Sequence, residues 1–224
     1  HLRLDGPVVA EFQNLFLTLW AKLHQEPPLT GPNYFPALSP VGNKMVRVMV
    51  SAAGDEEADI YTVFLAAFHQ AEERIWITQG YFSPDRRFLD ILKDAARRGV
   101  DVRLLLPGAT DSWITINSSR AHYSELLQAG VRIFERKDAL QHAKSAVVDG
   151  IWSTVGSSNL DYRSFLHANE ANAIIYGSGF GSRMEDLFRI DQKENVEITL
   201  KGWKKRSFIQ RSAEMLGSMF DYWL

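Results

Sequence analysis

The chain has 224 residues, of which 46% are hydrophobic and 23% are charged, a composition typical of a globular domain with its own core. Its net charge of −2 gives no overall attraction to nucleic acid, and the lack of cysteine excludes disulfides and thiolate metal sites. No run approaches the ~20 apolar residues of a membrane-spanning helix, so we expect a soluble chain that forms a single domain over residues 1–224.

Helical and strand periodicities alternate along most of the chain. Residues 7–23 carry an apolar stripe at helical spacing, and residues 25–42, with five prolines and two glycines, predict a loop. Further helices are predicted over residues 58–72, 85–98, 112–128 and 181–191. Strands are predicted over residues 45–52, 74–79, 100–106, 131–135, 145–148, 151–155 and 170–176. This alternation indicates an α/β fold, with a mixed, largely parallel sheet and helices on both faces.

One stretch, residues 141–164, carries polar residues at fixed offsets. The pattern reads H-x-K, four residues, D, six residues and G-S-x-N, and it begins at His142. On a strand, His142 and Lys144 project to the same face. Asp149 and the glycine after it predict a two-residue hairpin turn, and the return strand ends at a glycine before Ser157 and Asn159. We therefore expect an imidazole, an ammonium, a hydroxyl and a carboxamide to converge on one point.

These four groups suit the chemistry of a phosphodiester. Its anionic oxygens can be held by a lysine together with neutral amide and hydroxyl donors. A histidine can attack phosphorus or carry a proton to and from the alcohol. A lone H-x-K is usually a surface pair, but six residues at fixed offsets arise by chance on the order of once in ten million start positions. The pattern therefore indicates a phosphate site with a nucleophile or proton carrier in it.

The stretch resembles the H-x-K-D signature of the phospholipase D superfamily. More narrowly, the second signature of bacterial cardiolipin synthases is similar to HAKSAVVDGIWSTVGSSNLDYRSFLHANEANAIIY. The upstream segments QGYFSPD, AARRGVDVRLLLPGATD and YSELLQAGVRIFE resemble the same family in the same order, so the similarity covers nearly the whole chain. The resemblance implies a phospholipase D-like fold and a phosphatidyltransferase that makes cardiolipin from phosphatidylglycerol.

The resemblance also implies a two-step mechanism that uses two facing signatures, of which this chain has one. In the family, one histidine forms a phosphohistidine, while the other protonates the leaving alkoxide and then deprotonates the incoming alcohol. The first signature usually supplies the nucleophile, so His142 is expected to be the general acid and base. Lys144, Ser157 and Asn159 are expected to bind phosphate oxygens. The opening residues resemble the segment after the first signature, which favours a C-terminal half; two copies paired across a two-fold axis are the alternative.

Three more residues are assigned to the site. Glu170 begins an apolar strand, where an unpaired acid is costly; by resemblance it orients the histidine of the facing signature, and a salt bridge to Arg163 is the alternative. Asp149 is grouped with the catalytic residues as a member of the signature, but its place in the hairpin indicates that it fixes the turn or pairs locally. Tyr81 follows the carboxyl end of a strand, so it either lines the substrate pocket or packs as an aromatic residue.

The remaining expectations concern partners. No His and carboxylate spacing suits a metal ion, so we predict no metal and no cofactor. The expected partners are a phospholipid substrate, a second H-x-K-D half and a membrane surface, with no nucleic acid; by resemblance the protein is peripheral to the bacterial inner membrane. Basic residues around Trp203 precede an apolar stripe over residues 209–223, which either lies on an anionic bilayer or packs on the domain.

Two other classes of function stay open at this point. A phosphodiesterase would hydrolyse a lipid or a nucleic acid, although a nuclease needs a basic groove that the net charge does not favour. An inactive half would only bind a partner or a lipid, which the intact set of His142, Lys144 and Asn159 makes the less economical explanation. The isolated chain itself is expected to have little activity.

Overall fold

The structure is a computed structural model that describes residues 1–51 and 59–223, with only the backbone of Asp59. Its strands are β1 (Met45–Ser51), β2 (Arg74–Thr78), β3 (Phe82–Ser83), β4 (Asp101–Pro107), β5 (Arg132–Arg136), β6 (Ser145–Val148), β7 (Trp152–Gly156), β8 (Leu160–Asp161), β9 (Glu170–Tyr176) and β10 (Val196–Ile198). Its α-helices are α1 (Val8–His24), α2 (Asp59–His69), α3 (Arg86–Arg97), α4 (Trp113–Ala121), α5 (Tyr123–Ala129), α6 (Ser178–Lys193), α7 (Leu200–Trp203) and α8 (Phe208–Ser218). A π-helical turn at Arg163–His167 and a 3₁₀ turn at Asp221–Trp223 are also present.

Eight of the described strands form one sheet, in the order β1-β9-β7-β6-β2-β4-β5-β10. Within it, β2–β4 and β4–β5 are parallel neighbours, and the other five pairs are antiparallel. The predicted α/β fold with a mixed sheet is confirmed, but parallel pairs are a minority rather than the expected majority. The reason is that β6 and β7 form a hairpin, and β9 and β1 extend the sheet beyond it without helical crossovers between parallel strands.

Different helices cover the two faces of the sheet. On one face, α2 and α3 bring Phe64, Phe68 and Phe88 into the larger buried cluster, which includes Ile75 and Ile77 of β2. On the other face, Phe188 of α6 packs against four sheet residues and forms a smaller buried cluster with them: Trp76, Leu105, Phe134 and Val147. Because side chains alternate along a strand, β2 is buried on both sides. The helices on both faces agree with the predicted layers.

Most predicted elements differ from the structure by only a few residues. The helix predicted over 112–128 is instead α4 and α5, which meet at His122, where Nε2 lies 3.0 Å from the Asp221 carboxylate. The hairpin turn is confirmed, with φ of 52° at Asp149 and 66° at Gly150, the left-handed values that such a tight turn requires. Residues 52 and 58, at the ends of a predicted strand and a predicted helix, lie outside the described residues.

Candidate active site

The site lies where β2 ends and β6 begins. The two strands are antiparallel neighbours with Thr78 opposite Ser145, so the chain after Thr78 lies against the chain before Ser145. The expectation that His142 and Lys144 belong to the strand is wrong, because the strand begins only at Ser145 and the two residues precede it in an irregular segment. Their positions are nevertheless fixed by the adjoining ladder.

His142 and Lys144 meet at the backbone of Gly80. A Cβ atom on Gly80 would lie 3.0 Å from Lys144 Nζ and 3.1 Å from His142 Cδ2. Tyr81 completes this corner, with its ring centroid 5.6 Å from that of His142 and 5.8 Å from Lys144 Nζ. Glycine at position 80 therefore keeps open the space between the two functional groups. We call this group of four residues the catalytic corner.

Within the catalytic corner, Lys144 is buried and His142 is exposed. Lys144 Nζ donates a hydrogen bond of 2.9 Å to the carbonyl oxygen of His142, which holds the ammonium beside the histidine. Burial lowers the pKa of Lys144, while the negative charges of Glu170 and Asp161 act in the opposite direction. The two carboxylates therefore favour the charged ammonium that phosphate binding requires.

Asn159 reaches the catalytic corner through a small second sheet. In this sheet β3 and β8 are parallel, with Phe82 opposite Leu160, so the segment after β2 is tied to the loop after β7. The backbone N–H of Tyr81 donates to Asn159 Oδ1 at 3.3 Å, and the Asn159 N–H donates to Ser164 Oγ at 3.1 Å. With its oxygen engaged, the Asn159 carboxamide can offer its NH₂ group to an anion.

The loop that carries Asn159 is held by a residue outside the sequence pattern. Asn172 of β9 is buried; its Oδ1 accepts from the Ser158 N–H at 3.2 Å, and its Nδ2 donates to Thr154 Oγ1 at 3.0 Å. A Cβ atom on Gly156 would collide with the Asn172 side chain. The glycine of the G-S-x-N motif is therefore required by packing, and Asn172 sets the path of the loop.

Glu170 begins β9 at the edge of the same site. Its side chain is half-buried, and its charge acts on both Lys144 and Asp161. Among the residues that the structure describes, Glu170 pairs with no Lys or Arg side chain within 4.0 Å, so the alternative salt bridge to Arg163 is not formed. Orientation of a facing histidine stays a prediction for this residue.

A family model described as "Cardiolipin synthase, PLD-like domain" matches residues 64–192, more than half of the sequence. The match includes the whole catalytic corner together with Asn159 and Glu170. The chain belongs to this family. The superfamily recognised from the H-x-K-D signature is thereby confirmed, with PLD standing for phospholipase D.

Curated relatives from this family match nearly the whole chain but only part of their own length. Cardiolipin synthase 1 of Bacillus anthracis is 32% identical over 222 residues, which cover 96% of this chain and 43% of the relative. Cardiolipin synthase A of Pseudomonas syringae pv. syringae is 35% identical over 202 residues, which cover 90% of this chain and 41% of the relative. The chain therefore spans less than half the length of these relatives.

Solved structures with the same fold are more distant in sequence. The crystal structure of Nuc from Salmonella typhimurium, a phospholipase D family member, aligns with a TM-score of 0.59 at 17% identity, covering 70% of this chain and 99% of that chain. Phosphatidylserine synthase from Haemophilus influenzae aligns with a TM-score of 0.61 at 15% identity, covering 82% of this chain and 47% of that chain. These similarities establish the PLD-like fold.

Asp149, the aspartate of the family signature, lies at the far end of β6 from Lys144. Its Oδ1 accepts from the backbone N–H groups of Glu73 and Arg74 at 2.9 and 2.8 Å, and its Oδ2 accepts from that of Glu72 at 3.0 Å. The five residue steps from Lys144 to Asp149 span about 16 Å at the rise of an extended chain. Asp149 therefore anchors the start of β2 to the hairpin, a contact between distant segments that goes beyond its predicted role in the turn. Its grouping with the catalytic residues stays a prediction.

Ser157 of the G-S-x-N motif is turned toward β9. Its Oγ accepts a hydrogen bond of 3.1 Å from the backbone N–H of Ala171. The side chain lies in a groove that Glu170 and α1 also line. Binding of a phosphate oxygen by Ser157 stays a prediction, and the structure gives its hydroxyl a second use in holding the loop to β9.

Asp161 is a site residue that sequence reasoning missed. It lies in β8, is only 4% exposed, and accepts a hydrogen bond of 2.7 Å from the backbone N–H of Ser164. Burial raises the pKa of Asp161 to about 6; the bonds from Ser164 oppose this shift, and the charge of Glu170 adds to it. The sequence did contain a signal for Asp161, because it is an acidic residue in the short segment after Asn159. The cost of burying an unpaired acid, which singled out Glu170, applies to Asp161 as well.

The raised pKa of Asp161 predicts a pH-dependent stability that Asp161→Asn removes. Its pKa is about 6 in the folded protein and 3.8 ordinarily, so its stabilising contribution is complete below 3.8 and is lost as the pH rises through 6. When the pH is lowered from 8 to 5, the free energy of unfolding should change in both proteins. The change should be more favourable to the folded state by about 1.4 kcal/mol in the unmodified protein than in Asp161→Asn. Urea unfolding at both pH values measures this, with exposed Asp138→Asn as the control; equal gains in all three proteins contradict it.

Proposed function

We propose that this chain provides one half of the active site of a cardiolipin synthase-type phosphatidyltransferase. The observation that carries the proposal is the convergence of an exposed imidazole, a buried ammonium and an amide donor around Gly80. These groups can hold an anionic phosphodiester and move a proton at its alcohol oxygen. Membership in the cardiolipin synthase family supports a phosphatidyl group as the unit transferred.

In the proposed reaction, a histidine of a second signature attacks the phosphorus of phosphatidylglycerol and forms a phosphohistidine. The P–O bond to the glycerol head group breaks, and His142 donates a proton to the leaving oxygen. A glycerol hydroxyl of a second phosphatidylglycerol then loses its proton to His142 and attacks phosphorus. The P–N bond breaks and cardiolipin is released, while Lys144 and Asn159 hold the phosphate oxygens in both steps.

The second signature is proposed to come from the part of the curated relatives that this chain does not cover, which is more than half of their length. A second copy of this chain, related by a two-fold axis, is the other source. In either arrangement, the half-buried carboxylate of Glu170 is available to accept a hydrogen bond from the facing imidazole and orient it.

Analysis of the lipid products tests the proposed transfer. The chain is produced together with a half that carries the missing signature, and the purified protein is given vesicles that contain phosphatidylglycerol. Cardiolipin is the expected product of transfer, and phosphatidic acid is the product of hydrolysis by a phosphodiesterase. The isolated chain is expected to form little of either. Phosphatidic acid without cardiolipin, or no product from the assembled protein, contradicts the proposal.

A membrane partner is supported by the orientation of α8. The buried residues of this helix are Glu214, which pairs with Arg206 at 2.8 Å, and Gly217, which packs against α4. The large side chains are exposed instead: Phe208, Ile209, Met215, Leu216 and Met219. Exposed cations accompany them at Lys201, Lys204, Lys205 and Arg211. We propose that this apolar and basic face, the α8 face, rests on an anionic bilayer.

The residues just after α8 pack next to elements that adjoin the site. Asp221, just after α8, accepts a hydrogen bond of 3.1 Å from Ser83 of β3. The ring of Tyr222 lies 6.0 Å from that of His167, in the π-helical turn that follows β8. Among the described residues, 1–51 and 59–223, none of the helices combines the length and the hydrophobicity that spanning a bilayer requires. The proposed bilayer contact is therefore on a helix whose C-terminal end adjoins the site.

Replacing both Phe208 and Ile209 by serine should weaken binding to anionic vesicles about tenfold or more. The reason is that the two large apolar side chains can no longer be buried in the bilayer. Sedimentation with vesicles that contain phosphatidylglycerol measures the effect, and vesicles of phosphatidylcholine alone should bind the unmodified protein less. The matched control replaces Leu187 and Ile190 of α6, which are also exposed. Equal binding by both double variants would contradict the proposed contact between α8 and the bilayer.

A further inference from the structure

A polar recess of about 450 Å³ opens beside the catalytic corner. Tyr81, Asn159 and Glu170 line this recess as well as the site of the proposed reaction. The other polar side chains of its wall include four from the residues after β4 and after β7: Asp111, Thr115, Asp161 and Arg163. Asp111, Thr115 and Arg163 have no role in the reaction as proposed above, and Asp161 acts there only through its charge on Lys144. The recess is therefore a feature distinct from the catalytic corner.

Tyr81 connects the recess to the reacting groups. Its ring lies beside His142, and its hydroxyl donates a hydrogen bond of 3.1 Å to Asp111 Oδ1. Burial, together with this bond and the charge of Asp111, raises the pKa of Tyr81, so the phenol stays protonated at neutral pH. The phenol thereby fixes the Asp111 carboxylate at the mouth of the recess, where its other oxygen can accept a further hydrogen bond.

Asp161 and Arg163 supply the remaining charges of the recess. Asp161 is more than nine-tenths buried, and one of its oxygens accepts from Ser164, as described above. Arg163 is exposed and, among the residues with a described structure, has no carboxylate within 4.0 Å. The recess thus combines hydrogen-bond acceptors along its wall with the exposed guanidinium of Arg163, whose positive charge also acts on Asp161.

This set of groups matches a polyol that carries a phosphate. Three carboxylates, those of Asp111, Asp161 and Glu170, repel a bare anion but accept hydrogen bonds from hydroxyl groups. Their polarity also disfavours an acyl chain. A guanidinium at the edge suits a phosphate attached to the same polyol, because it binds phosphate oxygens in a bidentate manner.

We propose that the recess is the acceptor subsite, in which the glycerol head group of the incoming phospholipid binds through one of its two free hydroxyls to the acidic wall formed by Asp111 and Asp161 and through its phosphate to Arg163. This inference rests on the proposed phosphatidyl transfer, and it adds the place where the acceptor phospholipid of that reaction binds. Because the Tyr81 ring borders both the recess and His142, the second hydroxyl of the same head group can face the imidazole, which removes its proton before it attacks phosphorus. Occupation of the recess also favours the alcohol over water as the acceptor.

Asp111→Asn tests the subsite through the products, because it keeps the size of the side chain and removes the charged acceptor at an exposed position. In the assembled two-signature protein with phosphatidylglycerol vesicles, the ratio of cardiolipin to phosphatidic acid should fall about tenfold or more. Asp138→Asn, in the loop between β5 and β6, should leave both products unchanged. A parallel decrease of both products, or an unchanged ratio, overturns the subsite, whereas absence of both products from the unmodified protein instead contradicts the proposed function.

A binding measurement tests the subsite without turnover. Calorimetric titration of the same protein with glycerophosphoglycerol, the deacylated form of phosphatidylglycerol, should give measurable binding that Asp111→Asn weakens about tenfold or more. Glycerophosphocholine, which lacks the second glycerol, should bind more weakly to the unmodified protein. Equal affinity for the two probes, or no effect of Asp111→Asn, overturns the proposal whatever the outcome of the lipid assay.

Discussion

His142→Ala in the assembled two-signature protein is expected to reduce cardiolipin formation by about 10³- to 10⁴-fold. The imidazole is the exposed group of the catalytic corner and the one that can exchange protons with an alcohol, whereas Lys144 is buried and holds charge. Loss of a general acid and base typically costs two to four orders of magnitude, and both proposed steps need one. Initial rates with phosphatidylglycerol vesicles measure the effect.

Two comparisons make the His142 result specific. His69→Ala removes an exposed imidazole at the end of α2 and should leave the rate unchanged. Asn159→Ala should slow the reaction less than His142→Ala, because Lys144 still holds the phosphate. Turnover by His142→Ala at the rate of the unmodified protein would remove the catalytic role and leave only a lipid-binding or structural one.

The parts of the site that depend on short-range signals could be predicted from the sequence. The turn at Asp149 follows from the chemistry of Asp-Gly pairs, which accept positive φ, and this turn sets the register of β6 and β7. Once that register is fixed, the G-S-x-N loop returns next to Lys144, whose carbonyl accepts from the Gly156 N–H at 3.2 Å. The proximity of this loop to Lys144 is therefore largely a local consequence of one hairpin.

Other parts of the site depend on contacts between distant segments, which spacing cannot reveal. Gly80 matters because β2 lies next to β6, and Asn172 matters because β9 lies next to β7. Asp161 is within the signature region, but its role depends on burial and on its position at the wall of the recess. Each of these residues acts through tertiary packing, so its identity as a site residue becomes visible only in the fold.

The α8 face illustrates the same limit for surfaces. Helical periodicity in residues 208–218 identifies an apolar stripe but does not say whether the stripe faces the domain or the solvent. The direction is decided by Gly217, because a Cβ atom at this position would lie 2.6 Å from the backbone nitrogen of Ser118. Close packing through this small residue turns the large apolar side chains outward.

Asp149→Ala is expected to lower the free energy of unfolding by about 4 kcal/mol. Three backbone N–H groups lose a charged acceptor, at about 1.5–3 kcal/mol for each such bond, although the two exposed amides recover part of this through water. Alanine at a φ of 52° adds roughly 1 kcal/mol of strain that aspartate and asparagine tolerate better. Urea unfolding of the purified chain measures the loss, with exposed Asp138→Ala as the control.

Asp149→Asn separates this structural role from a catalytic one. Asparagine accepts the same φ and keeps one acceptor oxygen, so the stability loss should be roughly half that of Asp149→Ala. Asp149 is separated from Lys144 by about 16 Å of extended chain. The rate of cardiolipin formation per folded molecule of Asp149→Asn should therefore stay close to that of the unmodified protein. A large loss of rate with intact stability would instead mean that the signature aspartate acts on the reaction, and the assignment made from its three backbone bonds would have to be abandoned.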